Sequence, residues 1–154
     1  MNDALKTQIL GIMDAHRIMT VATLRPDGWP QATTVGYAHE GLTLYFLCGL
    51  DSQKANNLAC DNRVSITIDH DEPQVMKITG LSMAGRARRV DDVQEAQRIM
   101  DLLIARYPQQ SQSPGELPPV SAVAIFRVDP VVISVLDYAK GFGHTELTAC
   151  SARD

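Results

Sequence analysis

Metal centres, disulfide frameworks and nucleophile motifs find little to build on in this chain. Its three cysteines, Cys48, Cys60 and Cys150, are odd in number and show no C-x-x-C spacing. That fits neither a disulfide framework nor a zinc site and points to a reduced, cytoplasmic protein. His16, His39, His70 and His144 are scattered, so no pair sits at metal-ligand spacing. Ser52, Ser65, Ser82 and Ser134 lack a G-x-S-x-G context. No G-x-G-x-x-G is present, which removes the dinucleotide-binding fingerprint. No apolar run approaches the roughly 20 residues of a membrane span. Met1 to Lys6 lack the charged-then-apolar pattern of a signal peptide. A net charge of −4 argues against a nucleic-acid footprint.

What is present is enough for a folded domain. The chain has 154 residues, 45% hydrophobic and 21% charged, and reads as a single domain over 1–154. Residues 3–16 have the period of an amphipathic helix, with Leu5, Ile9, Ile12, Met13 and His16 on one face and Asp3 as N-cap. Ile18 to Leu24, Gln31 to Tyr37 and Leu42 to Cys48 read as strands. They are separated by the turns Arg25-Pro26-Asp27-Gly28 and His39-Glu40-Gly41, an antiparallel meander rather than a βαβ unit. A short helix over 52–60 and a strand from Arg63 to Asp69 follow. Gln74 to Val90 reads as one bent strand or two, interrupted by Gly80 and Gly85. A second long helix covers 92–106, and the Gln-, Ser- and Pro-rich residues 109–119 form a loop. Two last strands, Val120 to Val128 and Val131 to Tyr138, are split by Asp129-Pro130. The tail 140–154 begins too rich in glycine for a strand. Six or seven strands in antiparallel succession close most economically into a small barrel.

One stretch carries the candidate chemistry. The strand Leu42 to Cys48 breaks at Gly49 and delivers the chain to a helix start capped by Asp51 or Ser52 and bearing Lys54. Free N–H groups and the helix dipole make such a start an anion seat. Thr33, Thr34 and Val35 would lie beside Phe46, Leu47 and Cys48 in the meander. A flat ligand with a phosphate tail could rest on these strands and reach Ser52-Gln53-Lys54.

In order and spacing, a set of motifs here resembles the pyridoxamine 5'-phosphate oxidase-like, FMN-binding split-barrel superfamily. They are Met19 to Thr23, Asp27-Gly28-Trp29-Pro30, the 42–48 strand, Asp51 to Leu58, Asn62-Arg63-Val64-Ser65, Gly80, Gly85-Arg86-Ala87 and Tyr107-Pro108. The likeness spans roughly 18–138. It implies a mainly β fold, a six-stranded antiparallel split β-barrel with two flanking helices and one short one. It also implies a homodimer with one FMN in each of two clefts at the interface. By position, Ser52, Gln53 and Lys54 would hold the FMN phosphate. Ala32, Thr33, Thr34 and Val35 would line the isoalloxazine, with Leu47 and Cys48 beneath.

The departures from that family shape the functional expectation. Gln31 to Tyr37 replaces an Arg-x-Val-Leu-Leu-Lys type strand, and Ser52-Gln53-Lys54 replaces Ser-Arg-Lys. No Arg-x-His substrate signature stands near Asp137-Tyr138, which argues against oxidation of the phosphorylated vitamin. The resemblance implies instead an FMN-dependent oxidoreductase or flavin reductase acting on a small molecule. Its alternatives are a non-catalytic flavin-binding stress or sensor protein and a deazaflavin-dependent reductase using Arg86, Arg88 and Arg89 as a basic groove.

Overall fold

Apolar side chains at every second residue commit most of this chain to strands. The computed structural model, described over residues 1–108 and 117–150, joins them into one sheet. Helix α1 (Asp3–Ala15) leads to strands β1 (Ile18–Leu24), β2 (Pro30–Gly36), β3 (Ala38–Glu40) and β4 (Thr43–Gly49). Helix α2 (Gln53–Cys60) is followed by β5 (Arg63–Asp69) and β6 (Thr79–Arg89). Helix α3 (Val93–Ala105) precedes β7 (Val123–Asp137) and β8 (Thr145–Ala149). The hydrogen-bonded order is β2-β1-β5-β6-β7-β4-β3, with β8 on β7, and every pairing is antiparallel. The sheet curls into a half-barrel whose ends, β2 and the β3–β4 ribbon, share no ladder among the described residues.

The fold is the expected mainly β split barrel, with eight described strands where six were expected. Two of the differences lie around β7. Asp129-Pro130 does not break the strand, because the irregularity is absorbed by a register shift where Gly85 faces Pro130. A Cβ on Gly85 would stand 2.6 Å from Val128 Cγ1 and 3.1 Å from the Asp129 carbonyl, so only glycine leaves room for the ladder there. Past the bulge, β4 has run out at Val128 and β8 takes the same edge over Val132 to Leu136. The tail glycines build the turn that makes this return possible, with Gly141 and Gly143 at φ of 139° and 74°. The tail was expected to hold no strand; residues 145–149 form one. Most of the 109–119 loop and the end of the tail, 109–116 and 151–154, lie outside the described residues.

The expected three-strand meander is also corrected. β2 pairs with β1, but the third strand pairs with β7 and the three-residue β3 instead. Between β2 and β3 the chain turns a corner at fully buried Tyr37. Its hydroxyl donates to the Met13 carbonyl at 2.7 Å, and its N–H to the Arg17 carbonyl at 3.1 Å. Arg106, just past α3, lies over the Tyr37 ring at 5.4 Å and donates to the Met13 and His16 carbonyls. Burial pushes the Tyr37 hydroxyl up to about 12, against the pull of Arg106.

Two apolar clusters use opposite faces of β4. Leu44 and Phe46 point into the curl with Val21, Ile66, Ile68 and Ile133, and Phe46 stacks on Phe126 at 5.4 Å. Leu5, Ile9 and Met13 of α1 pack into the same cluster. Tyr45 turns outward and meets Ala96, Ile99, Met100 and Leu103 of α3. Each such Leu, Ile or Phe contributes about 1.5–3 kcal/mol by leaving water. Asn2 rather than Asp3 caps α1, its Oδ1 accepting from Leu5 N at 2.7 Å.

Candidate functional site

The chain leaves β4 at Gly49, whose carbonyl accepts from Ser52 N at 3.1 Å, and Ser52 caps α2. Its hydroxyl oxygen accepts from Ala55 N at 3.2 Å. The N–H groups of Gln53 and Lys54, first in the helix, have no partner among the described residues. Lys54 is half-buried, and no carboxylate pairs with it among the described residues. Burial pulls its pKa below the usual lysine value, opposed by nearby Cys48. An unpaired, partly desolvated ammonium beside two free N–H groups is a seat for an anion.

A buried polar cluster holds this helix start against the sheet. Asn57, fully buried, donates to Thr23 Oγ1 at 2.9 Å and to Gln31 Oε1 at 3.2 Å. Its Oδ1 accepts from Gln53 Nε2 at 2.8 Å. Three elements, α2, β1 and β2, therefore meet at one amide. Gln53, expected on the phosphate, spends its side chain here.

The strand opposite, β2, is an edge strand whose outer side carries no ladder among the described residues. Its side chains alternate: Ala32 and Thr34 face out, Thr33 and Val35 face in. Thr33 Oγ1 is buried without a hydrogen-bond partner, the sole such side-chain atom among the described residues. Thr34, Val35 and Leu47 line a groove of about 430 Å³ at the split between β2 and β4. Met100, Leu103 and Tyr107, from α3 and the turn after it, form its other wall. Tyr107 is fixed there by donating its hydroxyl to the Arg17 carbonyl at 2.8 Å.

The expected residues thus fall into two groups. Thr34, Val35 and Leu47 come together in the groove. Ser52, Gln53 and Lys54 come together at the helix start, outside that groove's lining. Cys48 points the other way from Leu47, into the inner cluster. Sequence reasoning missed Asn57, Gln31 and the α3 wall. A lone Asn in a short helix and an apolar helix face carry no local sign of such neighbours.

The remaining candidates are placed apart. Arg86 and Arg88 share a face of β6, while Arg89 turns to Asp91 at 3.5 Å. Tyr138 meets Phe142 in a tilted ring contact at 5.1 Å, and His144 pairs with Glu146 at 3.3 Å. Trp29 is 72% exposed. Among the described residues no cluster of His, Cys, Asp and Glu could hold a metal ion. No described helix is long and apolar enough to cross a membrane.

With this geometry in hand, comparison with known proteins decides the family. Residues 5–136 match the family model described as pyridoxamine 5'-phosphate oxidase. The chain belongs to the pyridoxamine 5'-phosphate oxidase family. Solved structures share its fold. One is general stress protein 26 from Bacillus anthracis, 16% identical, with a TM-score of 0.70 over 95% of this chain and 98% of that one. Another is a conserved hypothetical protein, Rv2991, from Mycobacterium tuberculosis, 23% identical, with a TM-score of 0.73 over 100% and 95% of the two chains. A third is a heme binding protein from Mycobacterium smegmatis, 18% identical, with a TM-score of 0.76 over 97% of this chain and 59% of that one. The sequence matches no curated protein.

Proposed function

We propose that this member of the family is a flavoprotein that binds FMN, with its phosphate on α2 and its ring along β2. The observation that carries this reading is the first turn of α2, where half-buried Lys54 and the N–H groups of Gln53 and Lys54 meet no anion among the described residues. Thr33 supports it, because a buried hydroxyl without a partner costs about 1–3 kcal/mol until a polar ligand atom meets it. The free edge of β2 offers main-chain groups from Ala32 to Val35, and Thr34, Val35 and Leu47 supply a wall of suitable size. Ser52 still has its hydroxyl proton to donate while its oxygen caps the helix. Cys48 acts at one remove, beside Lys54 rather than under the ring.

Bound flavin supplies hydride or electron transfer, and the chain's own residues position it and exclude water. We infer an oxidoreductase or flavin reductase for a small molecule on that basis. Each flavin cleft is taken to be completed by a second copy of the chain. The outer sheet face favours such pairing, since Ala22, Ser65, Thr67, Ser82 and Ala84 present small uncharged side chains there.

The deciding experiment is the absorbance spectrum of the purified protein followed by titration with FMN. Tight, stoichiometric binding with a yellow spectrum is expected. A colourless protein that takes up no FMN sinks the proposal. Parallel titrations with the deazaflavin coenzyme and with heme show which of the three flat ligands the groove selects. Stable flavin that no nicotinamide donor reduces would favour the sensor reading over the enzyme.

A further inference from the structure

At the end of β4 remote from α2's first turn, the β3–β4 turn meets the β6–β7 bulge around a second groove of about 510 Å³. Arg86, Arg88 and Arg127 line it. Arg86 and Arg88 flank buried Ala87 and so share the outer face of β6, and Arg127 stands opposite Arg88 in the ladder. The two carboxylates of the groove are already engaged. Glu40 accepts from Arg98 of α3 at 2.7 Å and from the Tyr45 hydroxyl at 2.8 Å. Asp129 accepts from Arg88 at 2.5 Å and from Arg127 at 2.8 Å.

Arg86 is different. Among the described residues its guanidinium makes one hydrogen bond, to the neutral Asn62 Oδ1 at 3.0 Å, and the nearby Asp61 is held by Arg63. Arg98 pairs Glu40, Arg88 and Arg127 share Asp129, and Arg127 also faces Glu95 across from α3. Among the described residues Arg86 is thus the guanidinium of the groove with no carboxylate on it. The lining side chains, three arginines against Glu40 and Asp129, leave the groove positive in a chain whose net charge is −4. Leu42, Pro130 and Val131 give the same groove an apolar side.

We infer that this groove binds a small phosphate monoester, its head on Arg86 with the open donors of Arg88 and Arg127, its apolar body against Leu42, Pro130 and Val131. A phosphate monoester carries about −1.5 to −2 at neutral pH and three acceptor oxygens, enough to meet Arg86, Arg88 and Arg127 together, where a carboxylate offers two. Guanidinium forks are the side chains suited to bidentate contact with phosphate oxygens. The groove shares no lining residue with the flavin site, so this inference stands or falls apart from the flavin reading.

Calorimetric titration of the full chain with phenyl phosphate, beside inorganic phosphate and neutral benzyl alcohol, tests it. Saturable binding of phenyl phosphate is expected, weaker for inorganic phosphate and absent for benzyl alcohol. Arg86→Gln weakens it about ten- to a hundredfold, the effect of losing one charge-assisted contact. Val131→Glu keeps every arginine, sets a carboxylate at the exposed rim, and weakens binding as well, so the test does not hang on one variant's folding. Lys54→Ala leaves it unchanged. No saturable binding, full affinity in both groove variants, or loss in Lys54→Ala would each overturn the site. Equal affinity for inorganic phosphate would overturn the apolar seat.

Discussion

Lys54 and Asn57 stand one turn apart on α2 and divide the work of that helix. Lys54 holds a charge that burial disfavours and that no carboxylate among the described residues offsets, which is the ground for proposing a phosphate there. Lys54→Ala is expected to weaken FMN by about 1.5–3 kcal/mol, read as a ten- to hundredfold rise in Kd by fluorescence titration. Unchanged affinity would move the phosphate away from α2. Asn57 is fully buried and bonds to Thr23, Gln31 and Gln53. Asn57→Leu strands Thr23 Oγ1, Gln31 and Gln53, and the unfolding free energy in urea should fall by about 1–3 kcal/mol. An unaltered denaturation midpoint would mean that the cluster is not what holds α2 to β1 and β2.

Strand β7 shows what an element needs to serve two partners along one edge. It gives its first half to β4 and its second to β8, and the changeover falls at the bulge beside Pro130. Proline has no N–H to give a ladder, so the irregularity sits where one donor is already missing. Gly85 makes the close approach possible. Gly85→Ala drives a methyl onto Val128, a stiff β-branched side chain, and onto the Asp129 carbonyl. A loss of about 1–3 kcal/mol is expected, seen as a lowered Tm. A variant as stable as the parent would show that the bulge has slack. The same bulge aligns Arg86 with Asp129, so the second groove depends on this irregularity.

At the scale of the whole molecule, Tyr37 ties α1, β2 and the end of α3 together. Burial holds its hydroxyl neutral up to about 12, above the ordinary value of 10. The unfolded chain ionises first as pH rises. The stability from this group is therefore complete below pH 10 and is lost as pH climbs from about 10 to 12. Tyr37→Phe removes the hydrogen bond to Met13, worth about 1 kcal/mol at neutral pH. The gap between parent and variant should close toward pH 12 in alkaline unfolding curves; a constant gap would mean that Tyr37 ionises as freely folded as unfolded. Flavin retention should also follow the dimer, since each cleft is proposed to need both chains. A monomer by sedimentation that still holds FMN tightly would contradict that proposal.

Local periodicity was sufficient for much of this protein. The alternation in Ile18 to Leu24 and Arg63 to Asp69, and the helical stripes of α1 and α3, mark these elements to within a residue or two. Ser52 and Lys54 at a helix start are legible for the same reason, because capping and the free N–H groups belong to one turn of backbone. Strand partnership is not local. Gln31 to Tyr37 and Leu42 to Cys48 are separated by only four residues, three of them strand β3, yet they sit at opposite ends of the sheet, because buried Tyr37 turns the corner and β7 offers β4 a longer ladder. A sequence pattern records which face of a strand is apolar, not which edge meets which partner. For that reason only the folded chain could put Asn57 between β1 and β2, close a ring-sized groove with α3, and gather three arginines around one aspartate.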